Sequence, residues 1–497
     1  MKVHLNLSIF FLMLSIVGSI NLLGEDRAAR QALGLPPVAT INSFITQQMA
    51  AQRVPGLALA IVQGDEILYV QGYGAARASE PVTAQTQFLL ASLSKSFTAV
   101  AVLQLVEAGK LDLDAPVQRY LPSFGLADPA AAASITVRQL LNQVSGLADA
   151  GFPEMRLPAP ASLAERITTL RTAQTVSAPR SAYHYFNVNY QILARLVEVV
   201  SDQPFSTYLQ REIFTPLQME HTVNLITSAD LAQRPAALAQ GHLLAFGLPL
   251  PSGEENGFLG GSGGVVSTAE DMAHYLVMQN NGGSFQGAQL LSPRSVALLH
   301  TPPATIDSPY AMGWWTATTA DGTSYLEHNG VLSTFYAEMV LLPQTGQSFV
   351  LLYNIHSLAQ DVFGVPAIKA GLIDLLTNRP VATGGFNVSL WSIVIALITL
   401  LSVALEVRGL VRLPRWRQQA AIRPTWRLLL GVLWSLMPVA FVLAMPAIVL
   451  RSSGRAFGYL TLFRSMVGVM SWLGLCGVLG VVNGLVRGLW LARRTRR

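Results

Sequence analysis

Ser92 and Lys95 stand three residues apart at the head of the greasy stretch Leu93 to Ala108, in a 497-residue chain with only four lysines. The stretch reads as a helix with apolar residues nearly all round, so it belongs inside a core. Positions i and i+3 share a helix face, which brings the amine to the hydroxyl. Desolvation pushes a buried lysine towards its neutral form, and a neutral amine can take a serine proton and leave a nucleophilic oxygen. Two further clusters could join this pair. Tyr185-Phe186-Asn187 begins 93 residues after Ser92; its phenol can shuttle a proton and its amide can hold a substrate carbonyl. His328-Asn329-Gly330 precedes Val331 to Leu342, which reads as a strand. A glycine there lets a strand edge approach a substrate, and the Val331 N–H could help bind an oxyanion. Each cluster also has a plainer reading, as an aromatic helix entry around Tyr183, Tyr185, Phe186 and Tyr190 and as a turn before a strand.

These groups need a scaffold. Ile41 to Ala51 reads as a first helix, and Leu57–Val62 and Ile67–Val70 as a β-hairpin turning at Gly64-Asp65. Near the other end, Phe335–Leu342 and Ser348–Tyr353 read as a second hairpin around Pro343 to Gly346, followed by a helix over Val365–Leu376. Between them lie helical patterns at Thr136–Asn142, Val188–Val200, Phe205–Ile213 and Thr268–Asn280, the last with Ser267 and Glu270 as a capping box. Strands from both ends around a helix-rich middle predict an α/β (α+β) domain. Its one antiparallel sheet is flanked by helices and carries a helical lobe.

The chain is 51% hydrophobic and 12% charged, with a sequence pI near 9.4. That basicity does not imply nucleic acid. Residues 407–497 hold 14 of the 33 basic side chains and no acidic one, while residues 1–406 carry 19 basic against 28 acidic groups, a net −9. The basic tail is also the apolar one. Val388–Val407, Leu428–Leu450 and Met466–Val486 are each about 20 residues, enough to cross a bilayer core of about 30 Å. Six arginines from Arg408 to Arg427 and five from Arg487 to Arg497 flank the spans on one side, against Arg451, Arg455 and Arg464 on the other. The positive-inside rule puts the first two groups in the cytoplasm and the acidic region outside. Lys2, His4, the apolar run Leu5–Ile20 and the small residues Val17-Gly18-Ser19 resemble a signal peptide, an uncleaved anchor giving the same topology. The only cysteine, Cys476, lies in the third span, so the exported domain relies on its core rather than on disulfides. The expected division is a signal peptide or anchor at 1–24, a catalytic domain at 25–380, a linker at 381–387 and a three-span membrane region at 388–497 with a cytoplasmic C-terminus.

Ser92-Leu93-Ser94-Lys95, Tyr185-Phe186-Asn187 and His328-Asn329-Gly330, in that order, resemble the three active-site motifs of the serine β-lactamase and penicillin-binding-protein superfamily. The similarity is to the branch of class C β-lactamases, D-alanyl-D-alanine carboxypeptidases and related esterases. Thr136–Leu141 running to Ser145-Gly146-Leu147, Ile213–Met219 and Ser267–Met272 also resemble that branch, with Gln143 where histidine is usual. The resemblance covers about residues 36–377 and omits the spans. It implies a β-lactamase/transpeptidase-like fold followed by three transmembrane helices. Ser92 would be the acylated nucleophile, Lys95 its activator and Tyr185 a partner in proton transfer. Asn187 would orient the acyl chain, His328 and Gly330 would line the far wall, and the N–H groups of Ser92 and Val331 would form the oxyanion hole.

Two departures bear on the substrate. The third motif usually begins with lysine, and His328 is mostly neutral at pH 7 for a pKa near 6.5. Val331-Leu332-Ser333-Thr334 replaces the usual glycine-rich stretch. The expectation is therefore a membrane-tethered extracytoplasmic serine hydrolase of esters, amides or D-amino-acid peptides, weak at best on β-lactams. Its partners would be a small-molecule or peptide substrate and the lipid bilayer, with no nucleic acid. The alternative is an inactive sensor or binding module of the cell envelope with the same fold. Gly260-Gly261-Ser262-Gly263-Gly264 formally matches a nucleophile elbow, but the polar segment before it is no buried strand, and a loop bordering the site is the better reading. The histidines show no metal-ligand spacing and no glycine loop fits a phosphate, so neither metal nor cofactor is expected.

Overall fold

The computed structural model describes residues 35–494 apart from 234–236, 305, 383–385, 421 and 423, so the expected signal peptide and part of the 381–387 linker lie outside the described residues. Seven strands make the main sheet: β1 (Gly56–Gln63), β2 (Glu66–Arg77), β3 (Glu80–Pro81), β4 (Trp315–Thr318), β5 (Ser324–Val331), β6 (Tyr336–Leu342) and β7 (Gln347–Tyr353). Their order is β4-β5-β6-β7-β1-β2-β3, with every pairing antiparallel. The two expected hairpins meet where β1 lies on β7, from Leu57 opposite Tyr353 to Gln63 opposite Gln347. The sheet is thus built from both ends of the domain.

Alternation along β1 sorts its side chains between two cores, and five helices cover them: α1 (Val38–Gln52), α2 (Ser94–Glu107), α3 (Asn187–Ser201), α4 (Ala269–Asn280) and α5 (Val365–Leu376). Leu57, Leu59 and Ile61 pack with Ile41, Phe44 and Ile45 of α1 and with Ile368 and Leu372 of α5. Ala58, Ala60 and Val62 face the larger core with Phe97 of α2, Leu193 of α3 and Leu276 of α4. Fully burying each such large aliphatic contributes about 1.5–3 kcal/mol. Both faces are covered, so β1 reads as a continuous apolar run.

Three sequence expectations need correction. His328-Asn329-Gly330 lies inside β5 rather than before a strand, and the turn follows it. The segment from Phe205 is α-helical only to Leu209; over Gln210–Phe214 it widens into a π turn that buries both Ile213 and Phe214. Thr268, not Ser267, caps α4 by accepting from the Asp271 N–H. Ser267 instead faces Thr222 at 2.7 Å.

The C-terminal region is made of α6 (Val388–Val411), α7 (Thr425–Ser435), α8 (Met437–Ser453), α9 (Tyr459–Ser465) and α10 (Val467–Arg494). Among the described residues α6 and α10 are long and apolar enough to cross a membrane, and α7 with α8, meeting at 49°, makes a third if the bent pair counts as one span. Pro438, in the first turn of α8, has no N–H to continue the ladder of α7, which accounts for the break. The region is docked on the domain. Val388 is fully buried, its N–H donating to Gln52 Oε1 at 3.2 Å, and Ser389 Oγ donates to the Ala51 carbonyl at 2.8 Å.

Lys369 of α5 ties the sheet together, pairing with Glu327 of β5 and lying 3.1 Å from Glu338 of β6. Burial holds the Glu338 carboxyl above the usual range, against the pull of Lys369. Breaking a buried pair from one side strands a charge. Lys369→Met is expected to lower unfolding stability by about 3–5 kcal/mol. A carboxyl whose folded pKa is raised loses stability as pH rises from its unfolded to its folded pKa. Both chains lose this alike up to about 8, where Lys369 lets the unmodified chain level off, so the Glu338 part of the deficit should widen above about pH 8. Denaturant titrations of the detergent-solubilised chain, with Glu338→Gln as the compensating second change, check this.

Candidate active site

Ser92 sits in a 3₁₀ turn, Ala91–Leu93, that leads directly into α2. The preceding residue, Ala91, has φ +49, a left-handed conformation that costs energy outside glycine. Three hydroxyls fasten this corner. Ser94 Oγ accepts from the Val265 N–H at 2.9 Å, Ser96 Oγ donates to the Leu93 carbonyl at 2.8 Å, and Thr98 Oγ1 donates to the Gly261 carbonyl at 2.7 Å. The glycine run is thereby folded onto the start of α2, where Gly261 has φ +73 and a Cβ would lie 2.6 Å from the Tyr190 carbonyl oxygen. Ser262 is buried in this loop with no strand before it and contributes its carbonyl.

Lys95 is fully buried, its Nζ 2.9 Å from Ser92 Oγ, 3.0 Å from Asn187 Oδ1 and 2.9 Å from the Ser262 carbonyl oxygen. Burial first, and the Arg455 charge second, drive the amine well below the ordinary lysine range, with Glu154 pulling the other way. A neutral amine has two N–H donors and one lone pair. Asn187 and Ser262 are acceptors, so they use the donors and leave the lone pair for the Ser92 hydroxyl. The Asn187 amide has a fixed sense because its Nδ2 donates to Glu154 Oε1 at 2.9 Å. Glu154 is in turn 3.6 Å from the buried Arg166.

Tyr185 precedes α3 and hydrogen-bonds the Ser92 side chain; burial pushes its phenol up to about 12, eased by Ser92 and Arg455. Lys95 Nζ lies 4.9 Å from the ring centroid. Gln143 sets this segment: its Oε1 accepts from the Phe186 N–H at 3.0 Å and from Asn189 Nδ2 at 2.6 Å. An amide therefore fills the position where histidine was expected.

On the far wall, His328 and Gly330 alternate inward along β5. A Cβ on Gly330 would stand 2.1 Å from the Leu90 carbonyl oxygen, so only glycine lets the strand lie against the Ser92 turn. Burial first, and the Lys95 ammonium whenever that amine is protonated, push His328 down to about 3, leaving it neutral. Its Nδ1 lies 2.6 Å from the Asn329 carbonyl oxygen, which fixes the proton there and leaves Nε2 to accept from Tyr310 at 3.3 Å. Val331 pairs with Tyr336 at the strand end with its side chain 40% exposed, so any part it has in the site is through its main chain.

The structure thus gathers Ser92, Lys95, Tyr185, Asn187, His328 and Gly330. The sequence reading missed Glu154, Asp149, Tyr310 and Arg455. The turn that replaces the glycine-rich stretch is clamped by Glu254, which accepts from Ser333 N at 2.9 Å, Thr334 N at 3.0 Å and Thr334 Oγ1 at 2.7 Å. Arg464, from α9, donates to Ser333 Oγ at 3.0 Å.

Comparison with known proteins gives the family and a likeness of fold. The family model described as Beta-lactamase matches residues 41–370. Protein flp of Staphylococcus aureus (strain MW2) is 26% identical over 322 residues, 64% of this chain and 63% of its own, so the chain spans less than two thirds of that relative. Penicillin-binding protein 4 of Amycolatopsis lactamdurans is 31% identical over 315 residues, 61% of this chain and 81% of its own. The crystal structure of D-alanine carboxypeptidase AmpC from Burkholderia cenocepacia superposes with a TM-score of 0.52 at 24% identity, covering 64% of this chain and 93% of that one, a likeness of fold. By motif order, fold and family match together, this chain belongs to the Beta-lactamase family, within the serine β-lactamase and penicillin-binding-protein superfamily.

Proposed function

We propose that the chain is a membrane-tethered extracytoplasmic serine hydrolase that works through an acyl-enzyme on Ser92, with esters, amides or D-amino-acid peptides as substrates. The observation that carries it is the Lys95 amine, sealed from water 2.9 Å from Ser92 Oγ with its other two contacts made to uncharged acceptors. As Oγ bonds the substrate carbonyl carbon, Lys95 takes its proton. Collapse of the tetrahedral oxyanion breaks the bond to the leaving group, which receives the phenolic proton of Tyr185; the Lys95 ammonium restores that proton. Water then adds to the acyl carbon along the same relay and Ser92 leaves with its proton. Gly330 allows the Val331 main chain to approach as an oxyanion donor beside the Ser92 N–H.

The domain division and topology belong to this reading: a leader or anchor at 1–24, the catalytic domain to residue 380, and a membrane region from Val388 with a cytoplasmic C-terminus. Contacts support it. Arg455 and Arg464, from the segment assigned outside, touch the catalytic domain at Asp149 and Ser333.

Incubating the full chain with p-nitrophenyl acetate, a D-alanyl peptide and nitrocefin, then mapping adducts by mass spectrometry, is expected to place an acyl group on Ser92. The adduct should vanish in Ser92→Ala and persist in Ser262→Ala; retention in the first overturns the assignment. Tyr185→Phe should slow acylation by about 10²–10⁴-fold.

The pH profile supplies an independent check. Only the neutral amine accepts a proton, so kcat/KM should fall as pH drops through the Lys95 pKa, with the limb well below the ordinary lysine range. His328, already neutral down to about 3, should leave that limb in place when changed to Asn.

A further inference from the structure

The turn between α8 and α9, Gly454 to Gly458, reaches from the membrane region to the catalytic tyrosine. Ala456 is fully buried, and Arg156 Nε donates to the Phe457 carbonyl at 3.1 Å, so the turn is held against the domain. Arg455 lies with its guanidinium carbon 5.4 Å from the Tyr185 ring centroid and 5.9 Å from that of Phe457. Its Nε is 2.7 Å from Asp149 Oδ2, and that carboxylate is also approached by the Ala456 N–H, so Asp149 engages one edge of the guanidinium. One terminal nitrogen meets only the thioether of Met155, at 3.6 Å. The guanidinium is an ion pair that has not closed into a two-point fork. A thioether is a weak acceptor, and five N–H donors in a planar array favour a carboxylate.

The position of this unspent fork relates to the chemistry. Tyr185 protonates the leaving group in the scheme above, so groups beyond Tyr185 face the departing half of the substrate. His328 is neutral and cannot supply charge there. Arg166 cannot either, being 1% exposed and paired with Glu154.

We propose that the α8–α9 turn completes the active site, with Arg455 binding a carboxylate carried on the leaving-group half of the substrate. This rests on the acyl-transfer reading for its orientation, but its binding test does not. Asp149 acts as the resident counterion that an incoming carboxylate shares or displaces. Its carboxyl is pushed up to about 6 by burial, against the pull of the Arg455 charge and of hydrogen bonds from Arg455 and the Ala456 N–H, so its charged form is poorly solvated.

The test uses the full chain in detergent carrying Ser92→Ala, so that binding is read without turnover. Calorimetry compares a peptide ending in D-alanine with its C-terminal carboxamide. The background chain should prefer the carboxylate, Arg455→Gln should reduce that preference by about 10–100-fold, and Arg455→Lys should restore part of it, as a charge-assisted bidentate contact predicts. Asp149→Asn should raise the preference, because it removes the competing anion. A structural ion pair predicts the opposite: both changes weaken the two peptides alike and lower the melting temperature together. An unchanged ratio in Arg455→Gln, or parallel losses in Asp149→Asn, overturns the proposal. Should Arg455→Gln fail to fold, a fall in the ratio in Asp149→Asn overturns it and a rise sustains it. Failure of the hydrolase reading looks different, as an absent Ser92 adduct in the unmodified chain whatever the peptide ratio.

Discussion

A lysine amine sealed from water beside a serine hydroxyl is the constraint on which the rest of the site depends. Left charged, such a group costs several kcal/mol of desolvation; left neutral without acceptors, it strands its N–H donors. The fold answers with two acceptors from distant segments, Asn187 at the start of α3 and the Ser262 carbonyl in the glycine loop. Neither acceptor is charged. The amine is therefore satisfied without being returned to the ammonium form, which keeps it useful as a base. Glu154 is near enough to raise its proton affinity but spends its oxygens on Asn187 and Arg166, so it orients the amide rather than pairing with the amine.

The same constraint explains the surroundings. The 3₁₀ turn at Ala91–Leu93 preserves the i, i+3 contact while lifting Ser92 out of α2, with Ala91 held in a left-handed conformation. Gly330 allows β5 to close against that turn, and Lys369 pins Glu327, the neighbour of His328, to Glu338 and α5. The sheet therefore fixes the wall of the cleft through the same strand that carries its third motif.

Much of this was legible in the sequence, for identifiable reasons. Hairpins announced themselves through alternation and turn residues, and the helix at Val365–Leu376 through its period, because these patterns are local. The three motifs were legible as residue types, and their order was informative because the family keeps it. What escaped was set by long-range partners. Thr268 and Ser267 are chemically interchangeable as caps, and tertiary contact with Thr222 decided between them. His328 looked like a turn because Asn329-Gly330 is a turn pair, but β6 captured it into a ladder. Glu154 and Asp149 carry no local signature, since their meaning comes from Asn187 and from Arg455, far along the chain.

The C-terminal helices are where sequence reading and structure diverge in kind. Apolar length and arginine counts describe them as an anchor, and α6 and α10 have the length for that. An anchor needs only a linker, yet here the connecting turns are the polar, structured part. Glu255 accepts from Thr461, Arg464 holds Ser333, Arg156 reaches the Pro446 and Phe457 carbonyls, and Arg455 meets Asp149. In lipid each of those groups would carry a large desolvation cost; at the domain face each finds a partner. One of these charges, Arg455, is the second largest influence on the Lys95 amine. The electrostatics of the candidate base thus include a residue more than three hundred positions away, held in place by the C-terminal helices.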